Sequence, residues 1–361
     1  MINEVLDFQK TTALPSKNLD SHFLGIPSTP GTNAVMSFFG NASDLETYKK
    51  RFKKINHNTN IEILENRSAR KIITKNEDTE LVIEIDDIDT FTKNNKSVKK
   101  IFLYILYKLS QQQIIQNLFE DLSIEFNLQE LVSLGLYQNM DTARVGFKNA
   151  KTILTSLKVE GLIKDKNTKK AIGEGTSVLF TNAFIIKGTC IFTLNKFINW
   201  PVFALLYFAP IPTTYFSLPS TPSDLMYLVF TQARMRKKEL KDKGFFTLKL
   251  RTVQQGLGLI SEEKTKSPTD KIKKPILEAI EIVNNAENNP DFHISIDYDK
   301  NGTIKDFLDN GYITVSMKGN YSKHLIQIAE NQEAKIQALK DRKESIAKQA
   351  EIKALADKKN K

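Results

Sequence analysis

Apolar positions change period several times along the chain, and each change marks an element. Ile61 to Leu64, Lys71 to Thr74 and Glu80 to Ile85 carry alternating or clustered β-branched and aliphatic residues, the pattern of strands. Val98 to Leu109, VKKIFLYILYKL, is apolar nearly all round, which predicts a helix buried in a core. Ser123 to Phe126 reads as a strand, and Asn127 with Glu130 has capping-box spacing ahead of the helical LQELVSLGL. In NMDTARVGFKNAKTILTSL, Ala143, Phe147, Ala150, Leu154 and Leu157 are spaced 4, 3, 4 and 3, so they share one helix face. The opposite face presents Arg144, Val145, Lys148, Thr152 and Thr155, with Asn149 and Lys151 at its margins and no carboxylate. KVEGLIK then reads as a strand, KDKNTKKAIGEG as a loop, and SVLFTNAFII and GTCIFTLN as strands around Lys187 and Gly188.

A similar order follows once more. Trp200 to Pro222 predicts a short apolar helix and a proline-rich connector. Ser223 to Lys238 has a strong helix pattern, Phe245 to Leu250 a strand pattern, and Thr252 to Leu259 that of a short helix. Asp270 to Asn284 is the next helix, with Ile272, Ile276, Ala279, Ile280 and Val283 on one side and Pro275 near its start. PDFHISIDYD and GYITVSM are extended, and Asn301-Gly302 between them is a hairpin signal. Asp297 to Leu308, DYDKNGTIKDFL, also imitates a calcium loop, but its twelfth position is Leu308 where a bidentate Glu is required, so no metal is expected.

Helix, strand, helix, helix and a hairpin, twice over, is the winged-helix layout. The expected fold is therefore α+β and mainly helical. It comprises two tandem winged-helix domains, residues 96–200 and 223–320, joined by a connector at 201–222. An N-terminal β-containing extension covers 1–95, and a polar, proline-free helical tail covers 321–361. Within the extension the first 40 residues predict little regular structure, and Ser43 with Glu46 opens a short helix through Lys54.

Charge narrows the partner. The 361 residues carry a net charge of +10, and two windows hold it. Asp141 to Gly175 has eight Lys and Arg against four carboxylates, and Gln232 to Pro275 has thirteen against five. Such focused basic surfaces fit a polyanion. No apolar run reaches the roughly 20 residues of a membrane helix, and the N-terminus shows no secretory pattern, so a cytoplasmic protein without a membrane partner is expected. The single cysteine, Cys190, makes no internal disulfide.

Enzyme signatures are missing. No Gly-rich loop ends in Gly-Lys-Ser/Thr, and His22, His57, His293 and His324 stand apart from one another. The one acidic cluster, Glu84, Asp86, Asp87 and Asp89, is what a metal-dependent primase or nuclease would use, although an acidic loop after a strand explains it equally well. The expectation is a non-enzymatic protein with no cofactor.

Three segments carry a resemblance: FNLQELVSLGLYQNMDTARVGFKNAKTILTSLKVEGLIK, SDLMYLVFTQARMRKK, and IKKPILEAIEIVNN with its hairpin. They look like bacterial replication initiators of theta-type plasmids and mobile elements, which carry tandem winged-helix domains. Lys274, Pro275, Glu278, Ala279 and Ile280 are similar to the recognition-helix region of the second domain in that family. The likeness extends over residues 97–317. It implies binding to repeated origin sites on double-stranded DNA, recruitment of host replication proteins such as the replicative helicase or initiator, and a dimer that exchanges with monomer through the first domain. A transcriptional regulator of the same type is the alternative within the DNA-binding class. On the present residues, Arg144, Val145, Lys148, Asn149, Lys151, Thr152 and Thr155 are expected to face one major groove. Lys166, Lys169 and Lys170 are expected at phosphates from the first wing, and Lys264, Lys266, Lys271, Lys273, Lys274 and Lys300 at an adjacent segment.

Overall fold

A computed structural model describes residues 23–27, 60–65, 70–75, 79–85, 88–111, 122–164, 171–195, 208–285, 287, 289 and 291–318. The helix expected at residues 43–54, the apolar helix after Trp200, the tail beyond residue 318 and the lysines at 166, 169 and 170 lie outside them. Among the described residues there are eight α-helices and small antiparallel sheets, and no helix is long and apolar enough to cross a membrane.

The chain opens with β1 (Phe23–Pro27), a strand where loop was expected. Then come β2 (Asn60–Glu65), β3 (Arg70–Lys75) and β4 (Thr79–Ile85), close to the expected positions. Helix α1 (Ile88–Gln111) begins ten residues ahead of its apolar run. Val98, Ile101, Phe102, Leu103, Ile105 and Leu106 are fully buried, each such side chain contributing roughly 1.5–3 kcal/mol.

Strand β5 (Leu122–Asn127) leads into α2 (Leu128–Ser133), where Asn127 and Glu130 close the expected capping box. Next are α3 (Met140–Ser156), β6 (Lys158–Lys164), β7 (Ala171–Val178), β8 (Phe180–Ile186) and β9 (Thr189–Leu194). Two corrections arise here. AIGEG is strand rather than loop, and SVLFTNAFII is two strands that part at Leu179 and enter different sheets. β6 and β7 extend the N-terminal strands into a five-stranded sheet, β2-β3-β4-β6-β7, so the expected boundary at residue 95 is bridged by a sheet. The N-terminal helical unit keeps its own sheet, ordered β5-β9-β8.

β10 (Phe208–Pro212) pairs with β1 and runs into a 3-10 turn, Thr213–Phe216, where only connector was expected. The C-terminal unit then comprises α4 (Ser220–Met235), α5 (Lys237–Lys243), β11 (Phe245–Lys249), α6 (Leu250–Gly256), α7 (Lys274–Asn284), β12 (Phe292–Asp297), α8 (Ile304–Asn310) and β13 (Tyr312–Met317). Its sheet is ordered β11-β13-β12, so in both units the last strand lies between the first and the second.

The Asn301-Gly302 hairpin is the third correction. Thr303 caps α8 by accepting from the Asp306 N–H at 3.2 Å, while the Asp306 carboxylate accepts from the Thr303 N–H at 3.1 Å. A helix therefore stands between β12 and β13. The carboxylates that imitate a calcium loop are used locally: Asp299 accepts from the Asn301 N–H at 2.9 Å, and Asp297 accepts from the Tyr312 hydroxyl at 2.6 Å.

Pro275 explains another local feature. Proline donates no hydrogen bond and crowds the preceding turn. Immediately before it, Thr269–Lys273 forms a π-turn, in which the Lys274 N–H reaches back to the Thr269 carbonyl. The wider turn keeps the helix continuous into α7.

Candidate nucleic-acid interface

Helix α3 is anchored at its N-terminus by Asn139, whose side chain accepts from the Thr142 N–H at 2.9 Å. The five residues predicted to share a face are all buried, and Gly146 and Ile153 join them. Gly146 has a steric reason: a Cβ there would lie 2.0 Å from the Tyr137 Oη.

On the other face Arg144, Val145, Lys148, Lys151 and Thr152 are exposed, while Asn149 and Thr155 are half-buried. Val145 is 61% exposed, an apolar group beside Arg144 and Lys148. This face is not free of carboxylate, as the sequence had suggested. Asp141 lies 3.5 Å from Arg144 in an exposed pair, a geometry that adds little stability but offsets part of the Arg144 charge. The two threonines also donate back to the helix, Thr152 to the Lys148 carbonyl at 3.2 Å and Thr155 to the Lys151 carbonyl at 2.7 Å. That leaves them as acceptors and methyl surfaces, with Arg144, Lys148 and Lys151 as the donors.

Strand β8 packs beside α3, and β8 and β9 meet in a two-residue turn with Lys187 at φ 50° and Gly188 at φ 86°. Positive φ at both central positions is the turn whose twist matches a hairpin. The Leu128 N–H donates to the Gly188 carbonyl at 3.0 Å, fixing the tip against the start of α2. The tip thus exposes Lys187, which the sequence reading did not select although Lys-Gly between two strands marks it. Exposed Phe184 and Ile186 flank it on β8.

In the C-terminal unit the candidate lysines separate. Lys264 and Lys266 are exposed between α6 and α7, Lys271 is exposed on the π-turn, and Lys300 is exposed before α8. Lys274 is exposed but faces Glu278 at 3.9 Å. Lys273 is half-buried, its Nζ 4.7 Å from the Tyr298 ring centroid and 5.3 Å from that of Phe307. Arg251, part of the basic window, is held by Glu262 at 2.5 Å and Asp309 at 2.8 Å. Burial pushes the Glu262 carboxyl up, yet its bonds to Arg251 and Gln254 outweigh that and hold it below its ordinary value. This guanidinium braces α6 against α8.

Of the acidic cluster considered for metal chemistry, Asp86 and Asp87 lie outside the described residues. Glu84 sits on β4 opposite Lys71 of β3 and Lys158 of β6, and Asp89 falls within α1. Cys190 is buried among apolar side chains, which pushes its thiol up to about 12, so it is a packing residue.

The fold and these surfaces define a mixed helix and sheet protein with two small three-stranded units, each carrying exposed cations on or before a helix. No protein-family model matches the chain, and no curated protein does. Among solved structures, the crystal structure of RctB domains 2-3 matches at 10% identity and a TM-score of 0.43, over 72% of this chain and 94% of that chain. A selenomethionine derivative of domain 2 and domain 3 of RctB matches at 10% identity and 0.37, over 70% and 92%.

Proposed function

We propose that the protein is a sequence-specific double-stranded DNA-binding protein without enzymatic activity that initiates replication of a plasmid or mobile element. It would bind repeats at the origin and recruit host replication proteins. The two units act as tandem winged-helix domains, with α3 in one major groove and the start of α7 on an adjacent segment. The observation that carries this reading is the exposed face of α3, where Arg144, Lys148 and Lys151 stand to one side of an exposed, apolar Val145 on a helix backed by buried residues. Cations supply phosphate and guanine contacts, and an exposed valine suits a thymine methyl. The shared strand order of the two sheets supports the tandem arrangement. In the C-terminal unit, Lys264, Lys266, Lys271, Lys274 and Lys300 contact phosphates, whereas Lys273 acts through packing.

Footprinting on DNA flanking the gene tests the reading. Short direct repeats protected at helical-turn spacing are expected, with protection lost in the Arg144→Ala, Lys148→Ala variant. Uniform protection along the DNA, or unchanged protection in that variant, would overturn it.

A further inference from the structure

Outside the DNA-facing surfaces, one cluster stands out physically: two adjacent lysines buried where the N-terminal unit meets the C-terminal one. Lys99 and Lys100 lie on α1 and are 3% and 8% exposed. Lys99 pairs with the Asp224 carboxylate in the early part of α4 and lies 5.4 Å from the Tyr227 ring centroid. Lys100 donates to the Phe216 carbonyl at 2.9 Å and the Leu218 carbonyl at 2.6 Å, and lies 5.6 Å from the Tyr215 ring centroid. Neighbouring side chains thus grip the chain on both sides of Pro219, where the connector becomes α4.

The surrounding contacts are mostly apolar. Tyr104 meets the Phe216 ring edge-on at 6.0 Å, and Gly135, at φ 72°, approaches Ser217 so closely that a Cβ would lie 2.8 Å from the Ser217 Cβ. Apolar burial is non-directional. Apart from Lys99 and Lys100, the buried residues of α1 from Val98 to Leu106 are hydrophobic, so their packing alone sets no sharp register against residues 215–227. The two ammonium groups resist a slide, because it would pull each buried cation away from the carboxylate or carbonyls that offset its burial. Directional polar groups in an apolar seam act as register pins, as a buried polar residue does in a coiled coil.

We propose that Lys99, Lys100 and Asp224 are positioning residues that fix the N-terminal unit against the C-terminal one, and so set the spacing and phase of DNA segments the protein accepts. The spacing half of this rests on the DNA-binding reading above. The positional half does not.

Spin labels at Val145→Cys and Glu281→Cys, both exposed, report the distance between α3 and α7 in the full chain. The wild-type background should give one narrow distance distribution. Lys99→Met, Lys100→Met, Asp224→Leu replaces the polar groups by apolar ones of similar size, a change that buried ion pairs often tolerate. It should give a broadened or split distribution, while Lys99→Arg keeps the narrow one. If the triple variant does not fold, Asp224→Asn is read in the same way. An unchanged distribution in the folded variant overturns the proposal.

A duplex selected by the wild-type protein from a random pool provides the second readout. Inserting about 5 base pairs, half a helical turn, between the two protected segments should weaken wild-type binding about tenfold or more and variant binding far less. Equal loss in both proteins overturns the spacing claim. If the wild-type protein selects no duplex, the DNA-binding reading fails, and the label distances still decide whether the latch exists.

Discussion

The Lys273 Nζ lies 4.7 Å from the ring centroid of Tyr298, so one of the three lysines at the start of the second candidate DNA helix is turned into the protein. Its neighbours Lys271 and Lys274 remain exposed. The three are equivalent in sequence and different in the fold.

This difference predicts divergent variants. Lys273→Ala should lower stability by about 0.5–2 kcal/mol through the lost cation–π contacts, seen as a lower urea midpoint, with the salt dependence of DNA binding unchanged. Lys271→Ala should leave the midpoint alone and reduce the slope of log K against log salt by about 0.9. A salt slope altered by Lys273→Ala would contradict this division.

Asp141 lies beside Arg144 on the face proposed to meet DNA. Asp141→Asn removes its charge 3.5 Å from Arg144, so duplex affinity at low salt should rise several-fold, an effect that fades near 1 M salt, where screening acts within about 3 Å. Affinity measured by fluorescence anisotropy at two salt concentrations checks it. Because the pair is exposed, stability should change by less than about 0.5 kcal/mol.

Gly146 offers a test of packing. Glycine to alanine within a helix ordinarily gains about 0.5–1 kcal/mol. Here the new Cβ would fall 2.0 Å from the Tyr137 Oη, so Gly146→Ala should instead cost about 1–3 kcal/mol. In a Tyr137→Ala background the same change should become neutral or stabilising, and urea unfolding of the four proteins closes the cycle.

Lys100 makes stability depend on pH. Desolvation lowers it from 10.5 to about 8, against the opposing pull of Asp224, and the Lys99 charge adds to the lowering. Below pH 8 the native and unfolded forms are both protonated, and the full cost of burying the ammonium is present. Between about 8 and 10.5 the unfolded chain holds more protons than the native one, so this group makes stability rise with pH. The difference in unfolding free energy between wild type and Lys100→Met should therefore shift by about 3 kcal/mol in favour of wild type across that window. A flat difference would show that the ammonium is not desolvated.

Much of the N-terminal unit was legible in the residues themselves. The spacing of Ala143, Phe147, Ala150, Leu154 and Leu157 named the buried face of α3, and Asn127 with Glu130 named the start of α2, because periodicity and caps depend on residues within a turn of one another. The exposed set Arg144, Val145, Lys148, Lys151 and Thr152 followed as the complement. What the chain alone left open was every feature made between distant segments. Asn301-Gly302 carries the local signature of a tight hairpin, yet packing of Phe307 and Leu308 into the core placed a helix there. Val98 to Leu109 read as apolar nearly all round, with nothing to assign Lys99 and Lys100, and only the arrival of residues 216–224, more than a hundred positions later, gave their charges partners. Local pattern decides which residues turn inward. Which partners meet a charge once it is inside is decided by the tertiary fold, because a buried ammonium must find its acceptors wherever the chain happens to return.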